Sequence, residues 1–195
     1  GLLAPLMAVS QPPAATDLGK NLIIAVEGRK LSKQQAAFLA EFRPGGVVLL
    51  GGNISSRAQT SALTQAIKQA VGGGTDLANY PLVYVDQEGG RINRLRLDGA
   101  PSAAALGRLN DAEAARETGE IFAREAAARG IGVVLAPVLD LCPAGSGGVI
   151  GDRSFGEDSA LVWGMARAFS LGVNEGGALP VGKHFPGHGA AAEDS

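Results

Sequence analysis

The architecture of this chain is set by residues 82–91, which read Leu82-Val83-Tyr84-Val85-Asp86-Gln87-Glu88-Gly89-Gly90-Arg91. Four apolar residues come first, and two carboxylates and an arginine follow at once. A short, wholly apolar run is typical of a strand that is buried on both faces, as in a parallel sheet. Because charged residues have no place inside such a sheet, we expect Asp86 and Glu88 to lie at its edge, just beyond the end of the strand.

Four more segments of the chain have the same character. They are Leu22–Val26, which we expect to be buried on both faces, Val47–Leu50, Ile131–Ala136 and Ala178–Gly182. Helices are predicted between these strands from their apolar spacing and caps. The first predicted helix follows Ser32, which forms a capping box with Gln35. The second runs from about Ser56 to Val71, the third from a cap at Asn110 to Arg129, and the fourth from about Glu157 to Val173.

Five apolar strands that alternate with helices predict a parallel α/β sheet. Open doubly wound sheets and (β/α)8 barrels both place polar sites at the carboxyl ends of strands. The first strand-to-helix turn, Glu27-Gly28-Arg29-Lys30, lacks the G-x-G-x-x-G fingerprint, which removes the main support for a dinucleotide-binding sheet. A complete barrel takes about 250 residues. We therefore expect an incomplete TIM-type (β/α)8 barrel of about five strands in residues 21–195, after an N-terminal extension in residues 1–20.

Composition excludes several classes of protein. Hydrophobic residues make up 46% and charged residues 18%, which is typical of a globular domain. The net charge of -2 and the absence of a basic run argue against a nucleic-acid partner, and no apolar run has the roughly 20 residues that a membrane span needs. The single Cys142 excludes an internal disulfide and fits a reducing compartment. We expect a cytoplasmic protein; an exported form stays open because Gly1–Ser10 resembles the end of a signal sequence.

Two polar motifs beyond strand ends each allow two interpretations. Asp86 is placed to accept hydrogen bonds from substrate hydroxyls, or else to brace its turn by pairing with a nearby arginine. Arg153, in the loop Gly151–Gly156, presents a fork of donors suited to a carboxylate or a sugar oxygen. Alternatively it pairs on the surface with Asp152 or Glu157.

Both histidines of the chain, His184 and His188, stand four residues apart, which is the spacing of a helical zinc pair. Pro186 and Gly187 lie between them, and a proline inside a helix removes a hydrogen bond and clashes with the preceding turn. No H-E-x-x-H motif is present. We therefore expect no metal and no cofactor, and favour a substrate site that includes Lys183 over two purely structural histidines.

Taken together, these motifs resemble the N-terminal barrel domain of glycoside hydrolase family 3, and most of all its bacterial β-N-acetylglucosaminidases (β-hexosaminidases), which act on muropeptides. The resemblance rests on five stretches in the family's order and covers nearly the whole chain from Leu22. They are Gly46–Leu50 with Asn53-Ile54, Val85–Arg94, Ala136–Asp140, Gly151–Gly156 and Lys183–Gly189. One departure is Gly51-Gly52, where family members often carry a bulkier or basic residue.

The resemblance implies a carbohydrate substrate, with five residues around a terminal N-acetylglucosamine. These residues are Asp86, Arg94, Arg153, Lys183 and His184. It also implies a retaining mechanism through a covalent glycosyl-enzyme. The same resemblance implies a role in peptidoglycan recycling, in which fragments of the cell wall are reused.

In the family, the general acid/base is a histidine two residues after an aspartate that matches Asp194, and the nucleophile is an aspartate on a later strand. Both positions fall beyond Ser195, so we expect this 195-residue chain by itself to be inactive. The alternative interpretation of Asp194 is an acidic residue of a disordered C-terminal tail without a catalytic role. The alternatives are a non-catalytic sugar-binding or structural domain, a family 3 β-glucosidase and a phosphate-binding α/β enzyme. Because part of a barrel exposes sheet edges, we expect an oligomer or association with the rest of the barrel.

Overall fold

The computed structural model describes residues 18–72, 80–142 and 148–191, in which five strands form one parallel sheet. The strands are β1 (Ile23–Ala25), β2 (Gly46–Leu49), β3 (Leu82–Val85), β6 (Val133–Val134) and β7 (Leu179–Pro180). The intervening β4 (Gln87–Gly89) and β5 (Ile92–Asn93) form a separate two-stranded sheet. The order of the five strands in the parallel sheet, β1-β2-β3-β6-β7, is the order in the chain, and every neighbouring pair is parallel. Each new strand is thus added on the same side, as in a (β/α)8 barrel, without the reversal of a doubly wound sheet. The barrel is not closed, which confirms the expected incomplete barrel.

In the described part of the chain, five α-helices lie between successive strands of the sheet: α1 (Lys33–Phe42), α2 (Arg57–Gly72), α3 (Ala103–Leu109), α4 (Ala112–Ala127) and α5 (Ser159–Glu175). The capping box of α1 is confirmed, since Ser32 Oγ accepts from the Gln35 N–H at 3.1 Å and Gln35 Oε1 accepts from the Ser32 N–H at 2.8 Å. None of the helices in the described part of the chain has the length and apolar character that crossing a membrane would need.

The predicted helix from Asn110 to Arg129 is wrong at its start. A separate helix, α3, precedes it, and Asn110 ends that helix in the left-handed conformation, with φ 51°. Asp111 is the true N-cap of α4, because its Oδ1 accepts from the Glu113 and Ala114 N–H groups at 2.9 and 3.2 Å. Asparagine and aspartate both favour the N-cap of a helix, and asparagine also tolerates the positive φ that is common at the C-terminal end of a helix. The sequence therefore did not show which of Asn110 and Asp111 begins α4.

The first strand also differs from its prediction. Leu22 and Ile23 are 48% and 53% exposed, so β1 is not buried on both faces. It lies at an edge of the described sheet with β2 as its one neighbour. In the central strands, Val47, Leu49 and Val85 are completely buried, whereas Val48 and Tyr84, which alternate with them, are half-buried, so burial is complete on one face only.

Helices α4 and α5 pack closely enough for backbone to meet backbone. A Cβ added to Gly172 would lie 1.8 Å from the carbonyl oxygen of Arg116, and one added to Gly119 would lie 2.2 Å from that of Phe169. The rings of Phe122 and Phe169 meet edge to face, with centroids 5.9 Å apart. Because α5 leads directly into β7, this contact fixes the position of the last strand.

An antiparallel hairpin follows β3 and was not predicted from the sequence. Its strands are β4 (Gln87–Gly89) and β5 (Ile92–Asn93). Gln87 is completely buried; its amide donates to Asn93 Oδ1 at 3.0 Å, and its Oε1 accepts from the Leu95 N–H at 2.9 Å. Since successive side chains of a strand alternate between faces, burying Gln87 on one face directs Asp86 and Glu88 to the other.

Candidate functional site

The carboxyl ends of β3, β6 and β7 meet at one edge of the sheet. Pairing of the last two strands continues beyond their bounds, because the Leu139 N–H donates to the Lys183 carbonyl at 2.6 Å and the Lys183 N–H donates to the Pro137 carbonyl at 3.1 Å. This extension brings Asp140 and His184 side by side. Asp86 reaches the same edge from the end of β3.

Lys183 forms two ion pairs at this edge. Its Nζ lies 2.6 Å from Asp86 Oδ1 and 2.6 Å from Glu88 Oε1. The partner of Asp86 is therefore a lysine that lies 97 positions further along the chain, and not the nearby arginine that the alternative interpretation required. The lysine side chain is 15% exposed, so its ammonium group is largely withdrawn from solvent and depends on these carboxylates for charge compensation.

Arg153 pairs with Glu88 through two nitrogens on one edge of its guanidinium group. Its Nε lies 2.8 Å from Glu88 Oε2, and its Nη2 lies 3.0 Å from Glu88 Oε1. Asp152, a partner considered from the sequence, instead pairs with Arg91 at 2.9 Å. Bidentate pairs of this kind fix the plane of the guanidinium as well as its position. The loop containing Arg153 is thereby held against the β3–β4 turn.

His184 is held by Asp140, whose side chain is completely buried. Its Nδ1 lies 2.6 Å from Asp140 Oδ2, and its Nε2 lies 3.3 Å from Arg153 Nη2. A guanidinium can only donate, so Nε2 must accept and Nδ1 must carry the hydrogen. The geometry therefore assigns one tautomer to His184, with the Nε2 lone pair facing Arg153.

Asp140 also accepts hydrogen bonds from the backbone N–H groups of His184, at 3.2 Å, and His188. Burial raises the pKa of Asp140, but the hydrogen bond from the His184 ring and those from the two backbone N–H groups outweigh it and hold the pKa below its usual value. The carboxylate thus stays ionised and ties together both ends of the His184–His188 segment.

The two histidines do not form the helical zinc pair that their spacing suggested. Their rings meet edge to face with centroids 5.5 Å apart, in a segment without helical structure, where the Lys183–His184 and Phe185–Pro186 peptide bonds are cis. Across residues 18–72, 80–142 and 148–191, no three His, Cys, Asp or Glu side chains are grouped so as to hold a metal ion.

Arg94 stands apart from this network. None of the ion pairs among the described residues includes it, and its Nε is a buried donor without a hydrogen-bond partner. The side chain passes over Gly51, since a Cβ added there would lie 3.5 Å from Arg94 Cδ and 3.7 Å from its Nη1. Gly51 therefore leaves open the space beside Arg94, whereas a Cβ at Gly52 would meet nothing within 4 Å. Asp194, the remaining predicted site residue, lies outside the described residues.

Two residues at the centre of the network received no role from the sequence. Glu88 contacts both Lys183 and Arg153, and Asp140 contacts His184. Both were recognisable as acids at strand ends, and the two-residue spacing of Asp86 and Glu88 already indicated a shared face. Their partners, in contrast, are distant in the sequence: Arg153 lies 65 positions after Glu88, and His184 lies 44 positions after Asp140. No local pattern reveals such pairs.

A cleft of about 580 Å³ lies beside these residues, between the segments that follow β6 and β7. Lys183 and His184 contribute polar side chains to its lining, and Leu139, Leu141 and Phe185 contribute apolar ones. The neighbouring carboxylates balance the cations, and each charged group is held in a fixed orientation. Such an array of rigid donors and acceptors beside apolar surface suits a neutral ligand with several hydroxyl groups.

A polar site at the carboxyl edge of a parallel α/β sheet, with strands added in one direction, defines the barrel class of enzyme domains. Within that class, the chain belongs to glycosyl hydrolase family 3: the family's N-terminal domain matches residues 6–195. This result confirms the resemblance seen in the ordered motifs.

Known proteins of similar sequence and structure agree with this assignment. A beta-hexosaminidase of Tolumonas auensis is 41% identical over 180 residues, which cover 89% of this chain and 51% of the relative. A family 3 β-N-acetylglucosaminidase from Paenibacillus sp. FPU-7 superposes with a TM-score of 0.86 at 30% identity, covering 94% of this chain and 35% of that one. NagZ from Neisseria gonorrhoeae, solved with N-trifluoroacetyl-D-glucosamine, has a TM-score of 0.76 at 31% identity, covering 87% and 51%. The chain thus spans about half the length of the curated relatives it matches.

Proposed function

We propose that this chain supplies the sugar-binding part of a retaining exo-β-N-acetylglucosaminidase that removes terminal N-acetylglucosamine from muropeptides during peptidoglycan recycling. The observation that carries the proposal is the continuous network at the strand ends, Asp86–Lys183–Glu88–Arg153–His184–Asp140. Similarity to the beta-hexosaminidase of Tolumonas auensis and to NagZ, which binds a glucosamine derivative, supports the choice of sugar.

Within this proposal, Asp86 and His184 contact the sugar directly. Their side chains are 25% and 30% exposed, more than those of Lys183 at 15% and Arg153 at 12%. Asp86 has oxygens that accept from sugar hydroxyls, while Lys183 and Arg153 donate to hydroxyl or carbonyl oxygens. Arg94 binds from the Gly51 side.

The reaction itself would follow the two-step route of retaining glycosidases, with a covalent glycosyl-enzyme between the steps. Asp194 serves there as the partner of the acid/base histidine, as the family resemblance implies. No metal or cofactor takes part in this proposal, because the two steps need only a nucleophile and a proton donor.

Hydrolysis of aryl glycosides tests the proposed specificity. The full-length protein should release the aryl group from an aryl β-N-acetylglucosaminide. Lys183→Met should raise KM by about tenfold or more, because it removes a donor, takes the cation away from Asp86 and leaves Glu88 with Arg153 alone. Cleavage of an aryl β-glucoside in preference to the acetylated sugar would instead identify a family 3 β-glucosidase and overturn the choice of substrate.

A second function, sugar binding without catalysis by this part of the protein, is favoured by a specific observation. Asp86 and Glu88 are ion-paired with Lys183, and Asp140 is hydrogen-bonded to His184. Because these contacts fix the three carboxylates in binding and supporting positions, we assign none of the three to nucleophilic attack. We propose that residues 1–195 alone bind N-acetylglucosamine but do not hydrolyse its glycosides. Titration calorimetry and an aryl glycoside assay on this polypeptide test both parts, and measurable turnover would contradict the second.

Two further properties belong to the proposal. We propose a cytoplasmic location, which fits the single Cys142, and cell fractionation tests it. We also propose that this part of the barrel associates with the remaining barrel strands or with another copy. Ile23 on the edge strand β1 is 53% exposed, Leu179 on β7 is 55% exposed and Trp163 on α5 is 66% exposed. Light scattering of residues 1–195 should show an oligomer when the remaining strands are absent.

A further inference from the structure

We propose that Glu88 is a positioning residue that holds Lys183 and Arg153 in the orientation that the sugar requires. This inference rests on the proposed function and deepens it, because neither the motifs nor the comparisons give Glu88 a role. It is the one carboxylate of the network that contacts two cations from two different segments, the turn Gly151–Arg153 and the chain after β7.

Glu88 is less exposed to solvent than the two cations that it contacts, as expected if Lys183 and Arg153 meet the sugar and Glu88 supports them. The Glu88 side chain is 4% exposed, against 12% for Arg153 and 15% for Lys183. Both carboxylate oxygens are engaged: Oε2 with Arg153, and Oε1 with Arg153 and Lys183 at 3.0 and 2.6 Å. Glu88 thus lies beneath the two cations and acts on the sugar through them.

The charge arrangement explains why this support is needed. Lys183 and Arg153 both lie within hydrogen-bond distance of Glu88 Oε1, so their positive charges are close to each other. Two poorly solvated cations at such a distance repel unless an anion lies between them. Asp86 compensates Lys183 alone. Removing the charge of Glu88 should therefore drive the Lys183 and Arg153 side chains apart and misplace the donors that they offer to the sugar.

The backbone around Glu88 is fixed well enough for such a role. The preceding Gln87 is completely buried and hydrogen-bonded to Asn93 and to the Leu95 backbone. Gly89 follows with a positive φ of 86°, and a Cβ there would lie 1.9 Å from the Pro101 carbonyl oxygen, so the turn closes tightly against that segment. Because the backbone on both sides of Glu88 is held in place, its carboxylate has a fixed position and can hold Lys183 and Arg153 in fixed positions.

The decisive experiment compares Glu88→Gln and Glu88→Asp in the full-length protein. Glutamine keeps the shape but loses the charge and turns an N–H toward a cation, whereas aspartate keeps the charge on a shorter arm. We expect Glu88→Gln to lower kcat/KM for an aryl β-N-acetylglucosaminide by about 10- to 100-fold, mainly through KM, and Glu88→Asp to recover part of that loss.

The matched control is Glu113→Gln. Glu113 also accepts from one arginine through both oxygens, at 3.0 and 3.1 Å to Arg116 Nε, but its side chain is 60% exposed and lies on α4, away from the strand ends. It should change neither KM nor kcat. A double-mutant cycle with Arg153→Met adds a readout that general destabilisation would not move, because residues acting as a unit have non-additive effects.

The outcomes separate this inference from the function on which it rests. Unchanged KM in Glu88→Gln, or additive effects in the cycle, would overturn the positioning role while leaving the glycosidase function intact. If Glu88→Gln fails to fold, Glu88→Asp and the same cycle decide the question. If the wild-type protein neither cleaves the substrate nor binds N-acetylglucosamine, the proposed function fails and the inference fails with it.

Discussion

His184 Nδ1 lies 2.6 Å from the buried Asp140 Oδ2, and this contact determines which ring nitrogen faces the rest of the site. With the hydrogen on Nδ1, Nε2 is an acceptor 3.3 Å from Arg153 Nη2. The same carboxylate binds the backbone N–H groups of His184 and His188. Asp140 therefore controls both the tautomer of His184 and the course of the segment that carries it.

Asp140→Asn should lower activity in a protein that still folds. An asparagine can turn its amide N–H toward Nδ1, which would move the ring hydrogen to Nε2 and set it against the Arg153 donor. We expect kcat/KM for an aryl β-N-acetylglucosaminide to fall at least about tenfold. Nitrogen NMR of the His184 ring should show the change of tautomer. Asp98→Asn, an exposed position, is the control and should keep full activity; an unchanged His184 tautomer in Asp140→Asn would contradict the argument.

The lowered pKa of Asp140 predicts a specific loss of stability in acid. A carboxyl group whose pKa is lower in the folded state than its ordinary value of 3.8 stabilises the fold above that value. This contribution is lost as the pH falls from about 3.8 through the lower pKa of the folded state. The free energy of unfolding of the wild type should therefore exceed that of Asp140→Asn by about 1–3 kcal/mol near neutral pH. Urea titrations at a series of pH values should show this difference shrinking in acid, and a constant difference would contradict the prediction.

The sheet and the position of the site were predictable because both depend on local patterns. Apolar runs mark the buried strands β2 and β3, and a charged residue directly after an apolar strand has no place except the sheet edge. That reasoning placed Asp86, Lys183 and His184 at one edge, where the structure has them. The exposure of β1 was not predictable in the same way, because an apolar run indicates a strand but does not reveal whether neighbours cover it.

The partners within the site were not predictable, since they depend on the register of distant segments. Asp152 and Glu88 are both acids within reach of an arginine in principle, and only the folded arrangement pairs Glu88 with Arg153 and Asp152 with Arg91. Arg94 illustrates the same limit: its motif gives it a site role, but its place over Gly51 follows from the approach of β2 and the hairpin.

The corrected start of α4 predicts unequal effects at two adjacent positions. Asp111→Ala removes the acceptor for the Glu113 and Ala114 N–H groups and should lower the free energy of unfolding by about 1 kcal/mol. Asn110 has φ 51°, so Asn110→Gly should cost at most a few tenths of that amount. Urea denaturation of both variants checks the order, and a larger loss at Asn110 would restore the prediction made from the sequence.

Two glycines of α5 offer a test of the close packing that positions β7. A Cβ at Gly172 would lie 1.8 Å from the Arg116 carbonyl oxygen and 2.9 Å from the Glu120 nitrogen, so the helices must separate to accept it. A Cβ at Gly164, on the exposed side of the same helix, would meet nothing within 4 Å. Gly172→Ala should thus destabilise the fold by about 1–3 kcal/mol, whereas Gly164→Ala should stabilise it by up to about 1 kcal/mol, because alanine favours a helix more than glycine does.

Activity measurements on the same two variants connect this packing to the site. Since α5 leads into β7 and then into Lys183, moving the helix away from α4 should shift the ammonium group relative to Asp86 and Glu88. We therefore expect Gly172→Ala to raise KM for an aryl β-N-acetylglucosaminide at temperatures well below its unfolding midpoint, and Gly164→Ala to leave KM unchanged. Equal KM values in the two variants would mean that β7 holds its place without the close contact between α4 and α5, and that Lys183 is positioned by its carboxylate partners alone.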